Sequence, residues 1–250
     1  MDVLRLCIGL YGISGVGKST FLGTLESGEQ RLEVVEGSDV LAKRCGSLDK
    51  FKSLGSSQKR AEREAAGEHL IHRSEGNPLV VAAHFSFPAR EQPATGPFSF
   101  EVAFTDTDAR LYTHVVYLEA DAQVIASQSS LDTSRSRQHC DNEELLEQWQ
   151  RHEIDQLRTR CERNGTPFSL IGPLRDSGRS DFAAAKALIH DWLEQHKNRL
   201  AVQKWLKDSL EPSNAAGVPK SVFLLIDGDG TLAREDTTRL FFEELAVVQG

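Results

Sequence analysis

The hydrophobic pattern of this chain alternates between two kinds of block. Short apolar runs at residues 3–11, 31–36, 79–83, 113–118 and 167–171 are each bounded by turn-forming residues. Such runs predict strands, and the unbroken Leu79-Val80-Val81-Ala82-Ala83 fits a central parallel strand buried on both faces. Between them lie charged stretches whose apolar residues recur at helical spacing. One helix begins at Thr20, another near Val40, and residues 56–75 form a charged helix whose apolar positions include Leu70 and Ile71. A short helix is expected over residues 121–127. A long one runs to about Arg163, with Leu145, Leu146, Trp149, Ile154, Leu157 and Cys161 on its apolar face. Asp141, with Glu144 three residues on, reads as its capping box, and Asn164-Gly165 as its end. Ser180 then caps a last helix carrying Phe182, Leu188, Ile189, Trp192 and Leu193. Strands alternating with helices predict an α/β fold: a doubly wound parallel sheet of about five strands with helices on both faces.

The first strand runs directly into Gly12-Ile13-Ser14-Gly15-Val16-Gly17-Lys18-Ser19, which matches the phosphate-loop pattern G-x-x-x-x-G-K-[ST]. A helix follows, so the motif has the strand–loop–helix setting it needs. Glycines at 12, 15 and 17 let the backbone approach a ligand closely. The amides of Gly15 to Ser19 are expected to face phosphate oxygens at the positive end of the helix, a cradle that extends over Ser14, Val16 and Thr20. Lys18 would reach the β- and γ-phosphates, and the Ser19 hydroxyl would ligand Mg²⁺. The plainer alternative is a glycine-rich turn with an exposed lysine.

Other polar positions leave two readings open. Ser38-Asp39 after the second strand is either a helix cap or a carboxylate beside a phosphoryl acceptor, at the sheet edge where ligands bind in open α/β folds. The third strand ends at His84 rather than at an aspartate, and His84 either faces the nucleotide or is a satisfied core histidine. Residues 85–100, with three prolines and four phenylalanines, read as a loop that walls a pocket or packs on itself. Asp106 and Asp108 read as turn residues. Residues 129–141 are polar and irregular and contain Arg135 and Arg137.

Composition narrows the class. The 250 residues are 39% apolar and 26% charged, with a formal charge of −8 and a mean hydropathy of −0.37. That is a globular composition with core enough to need no staple, and the acidic balance argues against a nucleic-acid-binding surface. Cys7, Cys45, Cys140 and Cys161 are widely spaced, which fits incidental thiols rather than a zinc site or disulfide framework. The N-terminal apolar run carries Arg5 and flows into the phosphate loop, unlike a signal peptide, and no stretch has the length of a membrane span. A cytoplasmic protein with no membrane partner is expected.

The order of these pieces resembles the nucleoside-monophosphate kinase and gluconate kinase branch of P-loop proteins. The matching residues are GISGVGKS, the strand ending at Asp39, the THVVYL strand with its helix and arginine-bearing segment, the long helix and the PFSLI strand, together spanning about residues 1–200. The resemblance implies a P-loop NTPase fold, ATP as donor, Mg²⁺, and a lid whose arginines, here Arg135 and Arg137, neutralise the transferring group. It makes Lys18, Asp39, Arg135 and Arg137 the expected catalytic set. The family commonly has arginines where this chain reads Ala126-Ser127-Gln128-Ser129.

Residues 211–219 have the composition of a linker. Beyond it an apolar strand runs into Asp227-Gly228-Asp229-Gly230-Thr231-Leu232, which resembles the first motif of haloacid-dehalogenase-like phosphohydrolases; a simple turn is the alternative. By that resemblance Asp227 is the nucleophile and Asp229 the general acid/base, both near Mg²⁺. The expected domains are therefore 1–210, P-loop kinase-like, and 220–250, the first strand–loop–helix of a second α/β domain. The order resembles multi-domain fusions that also carry a uracil phosphoribosyltransferase-like domain, with further domains of a longer chain as partners. Three functions follow as expectations: phosphotransfer to a nucleotide, nucleoside or sugar acid; nucleotide sensing without turnover; and a nucleic-acid end kinase/phosphatase.

Overall fold

The computed structural model describes residues 4–26, 32–89, 97–131, 142–174 and 182–210. Chain contacts divide the molecule into one unit of residues 1–200 and another of 201–250. The first unit begins with β1 (Cys7–Tyr11), the phosphate-loop segment and α1 (Lys18–Glu26). Then come β2 (Glu33–Glu36), α2 (Gly37–Cys45), α3 (Leu48–Ser53), α4 (Ser56–Ser74) and β3 (Leu79–Ala82). A hairpin of β4 (Ser86–Pro88) and β5 (Phe100–Val102) leads to α5 (Asp106–Leu111) and β6 (His114–Ala120). The rest is α6 (Ala122–Leu131), α7 (Glu143–Arg163), β7 (Phe168–Leu174) and α8 (Ala183–Leu210), the last crossing residue 200.

Five strands form one parallel sheet in the order β2-β3-β1-β6-β7. The expected doubly wound α/β architecture is what is found, with β1 at the centre. Alternation along its strands sorts side chains into two cores. Ile8, Leu10, Val80, Ala82, Val116 and Leu118 face one core, shared with Phe21 of α1, Trp149 of α7 and Ile189 of α8. Cys7, Tyr11, Leu79, Val81, Val115 and Tyr117 face the other, shared with Val40, Leu70, Leu111 and Leu157. The α7 helix thus contributes to both cores, its first turns to one and its later turns to the other.

Four local expectations are corrected. The helix after β2 begins at Gly37 itself, so Ser38 and Asp39 lie inside its first turn and neither caps it. A Cβ at Gly37 would meet the Ala82 carbonyl oxygen at 2.9 Å; the glycine lets strand pass to helix with no linker. Residues 85–100 are not wholly loop, since Ser86, Phe87 and Pro88 pair antiparallel with Val102, Glu101 and Phe100. Three prolines hid these short strands, because each interrupts the pattern that marks one. Asp106 and Asp108 belong to α5 rather than to a turn. The Asp108 carboxylate accepts from Thr105 N–H (2.7 Å) and hydroxyl (2.8 Å), a capping box. Finally, α7 is capped by Asn142, whose Oδ1 accepts from Leu145 N–H at 3.0 Å; Asp141 and Ser180 lie outside the described residues.

Candidate phosphate-binding site

The site is built where β1 stops. Tyr11 is the last strand residue, paired in register with Tyr117 of β6, and the chain turns through residues 12–17 into α1. Gly12 has a φ of +144°, and a Cβ there would lie 2.7 Å from the Leu118 carbonyl oxygen and 2.8 Å from Val16 Cγ1. The loop can lie this low over β6 only because residue 12 lacks a side chain. Ile13, Val16 and Phe21 are buried in the core beneath and anchor the loop from below. Lys18 opens α1 and is only 8% exposed. Its ammonium turns back over the loop, donating to the Gly12 carbonyl and to the Ile13 carbonyl at 3.0 Å. Ser19 and Thr20 are exposed on the first turn of α1.

Within reach of the Lys18 charge lies a polar cluster that the sequence did not announce. Glu153 of α7 is fully buried. Its Oε1 accepts from Ser86 N–H (2.8 Å), Ser86 hydroxyl (3.1 Å) and Trp149 Nε1–H (3.2 Å), and its Oε2 from the Tyr117 hydroxyl (3.1 Å). Burial pushes its carboxyl above the usual carboxylate range, while these donors and the Lys18 charge pull the other way. His84 sits just past the end of β3, its ring 5.0 Å from that of Phe87. Its Nδ1 is buried without a hydrogen-bond partner. Burial, with the Lys18 charge, holds its imidazole well below the ordinary histidine range, hence neutral. Of the two readings of His84, a satisfied core histidine is the one the geometry does not support.

Residues 11–147, more than half of the sequence, match the AAA domain family. The chain belongs to that family. No curated protein sequence matches it. Among solved structures, it is similar to shikimate kinase from Bacteroides thetaiotaomicron at 15% identity, covering 76% of this chain and 99% of that one, with a TM-score of 0.49. Shikimate kinase from Acinetobacter baumannii in complex with shikimate follows at 16% identity, 77% and 95% coverage and a TM-score of 0.48. A sugar kinase from Janibacter sp. HTCC2649 is 17% identical, with 58% and 75% coverage and a TM-score of 0.36.

The expected site residues fall into three groups. Gly12, Ser14, Gly15, Val16 and Gly17 lie in the turn between β1 and α1, and Lys18, Ser19 and Thr20 in the first turn of α1. Asp39 is exposed on the first turn of α2, after β2, which β3 separates from β1 in the sheet. Arg135, Arg137, Asp227 and Asp229 lie outside the described residues, as do the expected linker at 211–219 and the segment 220–250. Among the described residues no group of three or more His, Cys, Asp or Glu could hold a metal ion. The Ser19 hydroxyl, exposed on the first turn of α1, can meet a cation that arrives with phosphate oxygens, the usual manner of Mg²⁺. A cavity of about 210 Å³ opens beside the end of β6, lined by Glu119, Asp121, Glu147, Gln150 and Arg151 among others, and the loop does not reach it. Glu153 did leave a sequence signal: it recurs with Leu146, Trp149 and Leu157 at core-facing spacing, where a carboxylate is out of place.

Proposed function

We propose that this AAA domain transfers a phosphoryl group from ATP to a small-molecule acceptor: a nucleotide, a nucleoside or a sugar acid. The observation that carries the reading is Lys18, a nearly buried ammonium held against the carbonyls of a glycine-bearing turn at the end of the central strand. Such a cation can exchange its carbonyl contacts for the stronger, charge-assisted contacts of a polyphosphate. The backbone amides of the turn and the positive end of α1 bind the same oxygens. Ser19 would hold Mg²⁺, which supplies charge neutralisation on the phosphoryl oxygens. Asp39 would orient the acceptor from the edge of α2, and Arg135 and Arg137 would clamp the transferring group. Positioning and charge complementarity are most of what this chemistry asks of a protein.

The test is ADP formation with Mg–ATP across a panel of nucleotides, nucleosides and sugar acids. One acceptor should give turnover, and Lys18→Ala should lower it by at least about a hundredfold. A protein that binds ATP yet turns over none of the panel would leave the second reading, a nucleotide sensor that acts on other domains of the same chain. The neutral imidazole of His84, its Nδ1 without a hydrogen-bond partner, stands where an acidic residue would serve a metal shell and favours that alternative. Residues 220–250 are proposed as the start of a phosphohydrolase domain with Asp227 as nucleophile and Asp229 as acid/base. Trapping of an aspartyl-phosphate at Asp227 in the full-length protein would test that part.

A further inference from the structure

Four hydrogen bonds from three elements, the Ser86 amide's among them, converge on one carboxylate, and the arrangement does more than solvate it. Ser86 belongs to β4, Tyr117 to β6 and Trp149 to α7, so Glu153 ties the hairpin, the sheet and the long helix at one point. Trp149 Nε1 also donates to the Ser86 hydroxyl at 3.1 Å, which leaves that hydroxyl's own proton for the carboxylate. Every contact is a donor, the set that an acceptor-only carboxylate requires. Its oxygens are therefore engaged by protein, which makes it a poor ligand for a metal or an acceptor. A buried charge of this kind is costly unless a cation answers it.

The phosphate loop carries a cation near enough for its charge to pull the Glu153 carboxyl down. Tyr117, which donates to Glu153, pairs in register with Tyr11, the residue before the loop. The Ile13 amide acts on the Tyr117 hydroxyl from above, and the Ile13 carbonyl accepts from Lys18 Nζ. Lys18 in turn acts on both Glu153 and His84. We propose that Glu153 is a positioning residue of the phosphate loop: its clamped carboxylate is a counter-charge that holds the Lys18 ammonium against the Gly12 and Ile13 carbonyls, in competition with an incoming phosphate. Because the four protein donors stay with Glu153 when Lys18 moves, the lysine can change partners without stranding the carboxylate. The loop's affinity for polyphosphate is then set from beneath, by a residue that does not touch the nucleotide.

The inference rests on residues 12–19 being a phosphate cradle, and two measurements separate its failure from failure of that reading. In protein labelled with ¹³C at the glutamate side-chain carboxyl, the Glu153 resonance is followed against pH in wild type and in Lys18→Gln. The groups facing Glu153 besides Lys18 are Tyr117, Ser86 and Trp149, and His84 faces Lys18, so the same protein is repeated with His84→Gln. Glu153 should titrate higher by about one pH unit when Lys18 is replaced, and this difference should survive replacement of His84; an unchanged titration overturns the proposal. Calorimetric titration with Mg–ATP should show Glu153→Gln binding about tenfold tighter than wild type, with the gain absent in the Lys18→Gln background. A gain that persists without Lys18, or no gain in a folded Glu153→Gln protein, also overturns it. Should Glu153→Gln not fold, the carboxyl titration in Lys18→Gln decides alone. If wild type binds no Mg–ATP, the phosphotransfer reading falls, while the titration still decides whether Glu153 and Lys18 are coupled.

Discussion

Gly12 shows how much of the site hangs on single residues. Its φ of +144° and the 2.7 Å approach of a hypothetical Cβ to a backbone oxygen are two separate obstacles to any side chain. Gly12→Ala should therefore lose about 2–4 kcal/mol of stability, read from the urea midpoint, and should lift the loop off β6. Gly23 on α1 meets nothing within 4 Å; Gly23→Ala in the same assay should be neutral or slightly stabilising, by up to about 1 kcal/mol. The phosphate-loop pattern marks Gly12 and is silent on Gly23, but only the neighbours overhead show what a methyl group would strike at either position. Glu153 teaches the converse. Its periodicity says that it is buried, but the four donors come from residues 36, 67 and fewer positions away in sequence, a meeting that no spacing rule reports.

At the scale of elements, the join between β6 and α8 carries a measurable pH dependence. His114 opens β6 with its ring 4.4 Å from that of Trp192 on α8. Burial, assisted by the charges of Arg199 and His196, holds it down at about 4. A histidine that resists protonation when folded takes up its proton more readily when unfolded, so its contribution is complete above about pH 6.5 and is lost as pH falls toward 4. Urea midpoints measured between pH 7 and 4 should fall by up to about 1.4 kcal/mol of stability per pH unit from this group. His84, His152 and His196 are lowered as well and add the same sign. The difference between wild type and His114→Gln isolates the His114 share. The strands and long helices of this sheet were readable because their hydrophobic periods are strong. The hairpin and α5 were not, being too short for a period to establish itself against their prolines and aspartates.

At the scale of the whole molecule, ligand binding should be visible as stability. With Mg–ATP at a hundred times its dissociation constant, the protein should gain about 2.7 kcal/mol, measured as a rise in unfolding temperature, and Lys18→Ala should show none of it. Surface ion pairs do not offer a comparable lever. Arg60 pairs with both Glu64 and Asp106 at exposed positions, so Arg60→Ala should change stability by less than about 1 kcal/mol. What stabilises the first unit is the pair of cores on either face of the sheet, and the turn at residues 12–17 lies where β1 ends and α1 begins.

The sequence by itself determined the strand–helix alternation, the parallel sheet and the turn at residues 12–19, because each is encoded in contiguous residues: a hydrophobic period, a run of β-branched side chains, a fixed spacing of glycines before a lysine. Tertiary structure alone decided what surrounds the lysine. Whether His84 is satisfied, which carboxylate lies beneath the loop, and which glycine tolerates a methyl group all depend on atoms that distant segments bring within 3–4 Å. Local spacing fixes the direction in which a side chain leaves its element; only packing fixes what it meets.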